Sequence, residues 1–262
     1  MRKLYFPLAL LVALCLSIIA FAATFFLQSR LRTGLTPRSA FTLPFFSQKA
    51  ATVPVRILPL GDSLTAGVTG GDPAGYHGGY RLRLWEDCKA AGWNIHFVGS
   101  TDSGPANLPD RAHEGHPGWR TDQISSRVVG WLKRYQPQII LLHIGTNDLI
   151  QGYSASVASA RLNGLVNQIT TTLPSATLIV AQIIPIDTAK LRPEVIQYNR
   201  FIPTLVQRLA EQGKHIRYVD MYDAVPVNDL VDHIHPNADG YYRMAQVWFQ
   251  ALKPLLSSAQ SV

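Results

Sequence analysis

The feature that most constrains this chain is an alternation of two periodicities. Short apolar runs at 55–60, 95–98, 139–144, 177–184 and 216–219 are four to eight residues long and mostly rich in Val and Ile, as strands are. Between them lie stretches of helical period. Ile124, Val128, Leu132 and Tyr135 recur every three or four residues. So do Leu162, Leu165, Val166, Ile169 and Leu173, and then Tyr198, Ile202, Leu205, Val206 and Leu209. A last helix carries Met244, Val247, Trp248 and Leu252, entered through Pro236-Asn237. Strands apolar on both faces and joined by helices predict an α/β domain with a mostly parallel, five-stranded sheet and helices on both sides. In such sheets ligands bind beyond the carboxyl ends of the strands, so function is to be sought in the loops that follow them.

The domain is expected to occupy 54–262. Ahead of it, residues 4–27 are uncharged and mostly apolar, long enough to span a bilayer. Ala20-Phe21-Ala22 also offers a small-x-small cleavage site. Residues 1–30 are therefore expected to be a signal peptide or an N-terminal membrane anchor, and either one places the domain outside the cytoplasm. Residues 31–53, with Pro37, Pro44 and several Ser and Thr, read as a linker. The net charge of +7 does not indicate nucleic acid: Arg2, Lys3, Arg30 and Arg32 supply four of those charges, and the other basic residues form no run. Cys15 and Cys88 are too few for a disulfide framework or a Cys-based zinc site.

Three loops after strands carry chemistry. The first strand runs into Gly61-Asp62-Ser63-Leu64-Thr65, where a serine after a glycine presents its hydroxyl at the mouth of the sheet. It is neither a Gly-x-Ser-x-Gly elbow nor a phosphate-binding Gly-x4-Gly-Lys-Ser/Thr loop. The second strand ends at Gly99, and the third runs into Gly145-Thr146-Asn147-Asp148. A backbone N–H without a neighbouring Cβ and an asparagine amide both suit stabilisation of a tetrahedral oxyanion. Asp232-His233-Ile234-His235-Pro236 precedes the last helix. A serine needs a neutral imidazole to take its proton and an acid to orient that imidazole. His235 is the candidate base and Asp232 its orienter, with His233 a bystander. Taken singly, the Ser63 and Asp232–His235 loops read equally well as a turn or helix cap, and Gly99 and Asn147 read more readily as turn residues.

Together, Ser63 in Gly-Asp-Ser-Leu, Gly99, Asn147 in Gly-Thr-Asn-Asp, and Asp232 and His235 in Asp-x-x-His-Pro resemble, in order, the four blocks of the SGNH (GDSL-type) hydrolases. The resemblance implies a flavodoxin-like three-layer α/β/α sandwich and a Ser-His-Asp mechanism that needs no metal or cofactor. It implies Ser63 as nucleophile and an oxyanion hole formed by the Ser63 N–H, the Gly99 N–H and the Asn147 side chain. Gly79-Tyr80-Arg81, Phe97-Val98-Gly99-Ser100 and Glu114-Gly115-His116-Pro117-Gly118-Trp119 look like the acetylxylan-esterase branch, the third carbohydrate-esterase family.

That branch implies a short acyl group, acetyl first, on a glycan or other small molecule. Asp62, His113, Glu114 and Trp119 are the candidate substrate-binding residues, Trp119 by stacking on a sugar ring. The alternative for this segment is that Trp119 packs on the domain while His113 and His116 brace a loop. His113, Glu114, His116, His233 and His235 are ligand types for zinc, but the His-Glu-x-x-His helix signature is missing. A lysophospholipase or thioesterase of the same family, with the stretch from Gly67 to Gly79 as an acyl-chain lid, and a silent glycan-binding module are the competing readings. A monomer is expected, touching the membrane only through its first segment if that is uncleaved.

Overall fold

The structure, a computed structural model, describes residues 53–70 and 78–257. The expected signal or anchor segment, all but the last residue of the linker, and the centre of the proposed lid lie outside the described residues. Among the described residues no helix is long and apolar enough to cross a membrane.

Strand β1 (Val55–Gly61) is followed by one helical turn, α1 (Ser63–Ala66), and then by α2 (Tyr80–Ala90). Next come β2 (Ile95–Phe97), β3 (Thr101–Asp102), β4 (Ala112–Gly115), α3 (Thr121–Tyr135) and β5 (Ile139–His143). The short α4 (Thr146–Ile150) leads into α5 (Ala155–Thr172), β6 (Thr177–Ala181), α6 (Arg192–Glu211), β7 (Ile216–Val219) and α7 (Ala238–Leu256). Strands β2, β1, β5, β6 and β7 pair in that order and all in parallel, the arrangement expected of a flavodoxin-like sheet.

Alternation along the strands decides which helices cover which face. Leu58, Leu60, Ile140, Leu142, Leu178 and Val180 point into one cluster with α3, α5 and α6. Ile57, Ile139, Leu141, Ile179 and Ala181 point into the other, with α2 and α7. The stripes expected in the sequence are the buried faces: Ile124, Val128 and Leu132 of α3 and Met244, Trp248 and Leu252 of α7 are all 0% exposed.

The expectation of five strands is corrected by β3 and β4, which bring the sheet to seven. Neither is apolar or long enough to register as periodicity, since β3 is Thr101-Asp102 and β4 is Ala-His-Glu-Gly. They exist because one edge of β1 is shared. Strand β2 pairs with Val55, Arg56 and Ile57, and β4 takes over at Leu60 and Gly61. Only the β3–β4 pair is antiparallel among these ladders. The chain passes from β2 to β3 and β4 through a short connection that contains Gly99 and Ser100.

Candidate active site

The site is built where β1 gives way to α1. Asp62 caps that turn, its Oδ1 accepting from Leu64 N–H at 3.0 Å. Ser63 is the first helical residue and is only 6% exposed. Its Oγ lies 2.9 Å from His235 Nε2, across 172 residues of sequence. His235 Nδ1 lies 2.8 Å from Asp232 Oδ2.

The acid is locally determined. The loop from Leu230 to Pro236 is closed by a bridge between those two residues, and Val231 N–H donates to the His235 carbonyl at 2.8 Å. Inside it, Asp232 Oδ1 accepts from His235 N–H at 2.7 Å and Ile234 N–H at 3.2 Å. Partial burial alone would push this carboxyl up. The His235 N–H and imidazole outweigh it and hold Asp232 below the usual carboxylate range. His233 sits at the tip with φ 69°, its Nδ1 3.2 Å from Asp187 Oδ2, and makes no contact with Ser63 or His235 of this kind.

Gly99 lies on the loop that follows β2, and Asn147 is the second residue of α4, the short helix that follows β5. Among the described residues no protein acceptor faces the N–H of Ser63 or of Gly99. A Cβ at Gly99 would collide with the His113 carbonyl, so only glycine lets the turn approach β4 so closely. Asn147 Nδ2 donates to the Trp119 carbonyl at 3.1 Å, which occupies one of its two amide hydrogens. Asp148, fully buried, anchors α4: its Oδ2 accepts from Thr121 N–H and Oγ–H at 2.9 Å, and its Oδ1 from Arg161 at 2.7 Å.

Three of the four candidate substrate-binding residues are corrected by burial. Asp62, His113 and Glu114 are each 0% exposed, and of their carboxyl oxygens and imidazole nitrogens all but Asp62 Oδ2 have a hydrogen-bond partner inside the protein. His113 Nδ1 accepts from Gly115 N–H at 2.8 Å, and its Nε2 lies 2.7 Å from Ser103 Oγ. Burial pulls the His113 imidazole down to about 2, so it is neutral. Their polarity suggested a surface loop, whereas pairing with β1 carries that loop inside. Trp119 is half-buried, with one indole face stacked on His116 at 4.2 Å between centroids, and it also packs on the core.

Burial pushes the Asp62 carboxyl up to about 7, against the Leu64 N–H and with a further push from the Asp148 carboxylate. The folded chain therefore holds this proton more tightly than the unfolded one. The associated stability is complete below pH 3.8 and is lost as pH rises through about 7. Asp62→Asn keeps an acceptor for Leu64 and is expected to flatten the melting temperature between those pH values. An undiminished decline in the variant would place its origin elsewhere.

Arg81, noted in the sequence only within Gly79-Tyr80-Arg81, has a role that sequence reasoning missed. Its guanidinium is fully buried and donates to four backbone carbonyls: Thr65 at 2.9 Å, Ala66 at 3.0 Å, Ser103 at 2.9 Å and Arg111 at 2.9 Å. Burial pulls it down to about 10, which leaves it charged at neutral pH. Two of its acceptors belong to α1, so it clamps the turn that presents Ser63. The available signal was spacing: Arg81 precedes Leu84 by three and Cys88 by seven, on the apolar stripe of α2.

The family model described as GDSL-like lipase/acylhydrolase matches residues 60–243. The chain is 35% identical to a family 3 carbohydrate esterase of Clostridium thermocellum, with a TM-score of 0.70, covering 79% of this chain and 99% of that one. An acetyl esterase solved with an acetate ion superposes with a TM-score of 0.67 at 27% identity, covering 78% of this chain and 99% of the other. A multidomain esterase of Ruminococcus flavefaciens is 28% identical over 245 residues, 82% of this chain. The chain spans 30% and 55% of the lengths of the curated relatives it matches. A parallel sheet of this order, a serine at the end of its first strand and a match over most of the domain together establish that the chain belongs to the GDSL-like lipase/acylhydrolase family.

Proposed function

We propose that this chain is a serine esterase that removes short acyl groups, acetyl first, from a carbohydrate. The observation that carries the reading is the continuous chain Ser63 Oγ–His235 Nε2 and His235 Nδ1–Asp232 Oδ2, at 2.9 and 2.8 Å. Ser63 Oγ attacks the ester carbonyl carbon while its proton passes to His235 Nε2, and the carbonyl oxygen becomes an oxyanion. Asp232 holds the imidazole in the tautomer with a proton on Nδ1 and stabilises the imidazolium. The Ser63 N–H, the Gly99 N–H and the free amide hydrogen of Asn147 receive the oxyanion. The imidazolium then protonates the departing sugar oxygen, leaving an acyl-enzyme. Water attacks that ester with His235 again as base, releasing the acid and restoring Ser63.

The acetyl and carbohydrate parts of the reading lean on what the two solved neighbours are named for. Export, with residues 4–27 as anchor or cleaved signal, is part of the proposal and rests on the apolar N-terminus. The test is hydrolysis of p-nitrophenyl esters from acetate to palmitate, followed by acetylated xylan. A rate falling steeply with chain length supports the proposal, and a long-chain optimum replaces it with a lipid enzyme. Asn147→Ala is expected to lower kcat roughly 10²-fold, as for the loss of one oxyanion donor. An increase in KM at constant kcat would make Asn147 a binding residue instead.

A further inference from the structure

We infer that the segment from His113 to Trp119 is a single frame that sets all three oxyanion donors, and that Glu114 is the positioning residue for the Gly99 N–H. The inference rests on the serine-esterase reading.

Each donor is tied to this segment by a different contact. His116 N–H donates to the Gly61 carbonyl at 3.0 Å, which fixes β4 beside the strand end that leads to Ser63. The Trp119 carbonyl accepts from Asn147 Nδ2 at 3.1 Å and so directs that amide. Glu114 takes the third. Its carboxyl is fully buried and accepts from both Ser100 N–H and Ser100 Oγ–H, the latter at 2.9 Å, while its Oε2 lies 2.9 Å from His116 Nε2. His116 is itself stacked on Trp119 at 4.2 Å and Trp131 at 4.9 Å between ring centroids, so the far end of the frame is immobilised.

The effect on Gly99 follows from its two neighbours. Upstream, Val98 N–H is bound to the Ile57 carbonyl at 2.9 Å. Downstream, Ser100 N–H is bound to Glu114. The Gly99 N–H between them has no protein acceptor among the described residues, and its direction is set by these flanking bonds together with the close packing of Gly99 on the His113 backbone. Glycine has the widest choice of φ and ψ, so without the Ser100 tie this donor would swing. A buried carboxyl with no reach to substrate thereby acts on the transition state through one peptide unit. An oxyanion donor is useful only when it is aimed in advance at the charge that develops.

The test uses the full chain with Glu114→Ala and Glu114→Gln, assayed on p-nitrophenyl acetate with melting temperature alongside. The alanine variant is expected to lose roughly 10²-fold in kcat, the scale of one donor, with KM within about twofold of wild type. Glutamine keeps an oxygen for Ser100 N–H and is expected to lose only about threefold to tenfold, again in kcat. A lowered melting temperature with unchanged kcat in the folded fraction would reduce Glu114 to a structural brace and overturn the inference. So would a change confined to KM. If the alanine variant fails to fold, the glutamine variant decides alone. If wild type hydrolyses no ester, the esterase reading fails separately, and the Gly99 amide resonance of Glu114→Gln still answers. A displaced Gly99 resonance supports the positioning, and an unmoved one overturns it.

Discussion

Ser63→Ala is expected to lower hydrolysis of p-nitrophenyl acetate by about 10⁴-fold to 10⁶-fold, the range in which removal of a serine nucleophile leaves only the oxyanion donors and binding. The fold is expected to survive. The lost Oγ makes one hydrogen bond, to His235 Nε2 at 2.9 Å. The α1 turn is held independently, by the Asp62 cap and by Arg81 on the Thr65 and Ala66 carbonyls. A melting temperature within about 2 °C of wild type, corresponding to less than about 1 kcal/mol for a domain of this size, would show that chemistry alone was removed. Turnover near the wild-type rate without the serine would discard the covalent mechanism, because the nucleophile activated by His235 would then be water attacking the substrate directly.

Arg81→Met has the largest expected effect on stability, about 3–5 kcal/mol. Two opposing effects compete. Removing a buried charge relieves its desolvation, and an apolar replacement of similar volume is sometimes neutral for that reason. Here that relief does not win, because the partners are backbone carbonyls that no substitution at Arg81 can remove. Thr65 and Ala66 would keep buried acceptors without the guanidinium donor, and Ser103 and Arg111 part-buried ones. For a domain of about 200 residues this corresponds to a melting temperature lower by roughly 10 °C. Arg81→Lys retains charge but not the planar fork that reaches four acceptors, so it is expected to fall between the two. Loosening α1 also lowers kcat before the domain melts. Wild-type stability in Arg81→Met would mean that water replaces the guanidinium, contrary to this account.

Much of the fold was legible because its signal is local and repeated. Strands β1, β5 and β6 are buried on both faces, which leaves continuous apolar runs, and helices α3 and α7 bury one stripe each. Part of the site was legible for the same reason. Asp232 and His235 are three residues apart in one closed loop, so their contact is nearly a property of the segment. The short motifs around Ser63 and Asn147 could be placed at strand ends once the strands were placed.

What the sequence by itself determined, then, was the alternating architecture and the set of residues capable of chemistry, because both are written at separations of a few residues. Tertiary structure decided what those residues meet. Ser63 reaches His235 only because β1 lies inside the sheet and the chain returns past β7 to the same end. His113 and Glu114 looked like a polar surface, yet Leu60 and Gly61 of β1 pair with β4 and carry both of them inside. Arg81 stood out in the sequence only as part of Gly79-Tyr80-Arg81, yet its four acceptors come from three separate segments that converge only in the folded domain. Burial of a polar group depends on which distant backbone lies over it, and no periodicity along the chain encodes that.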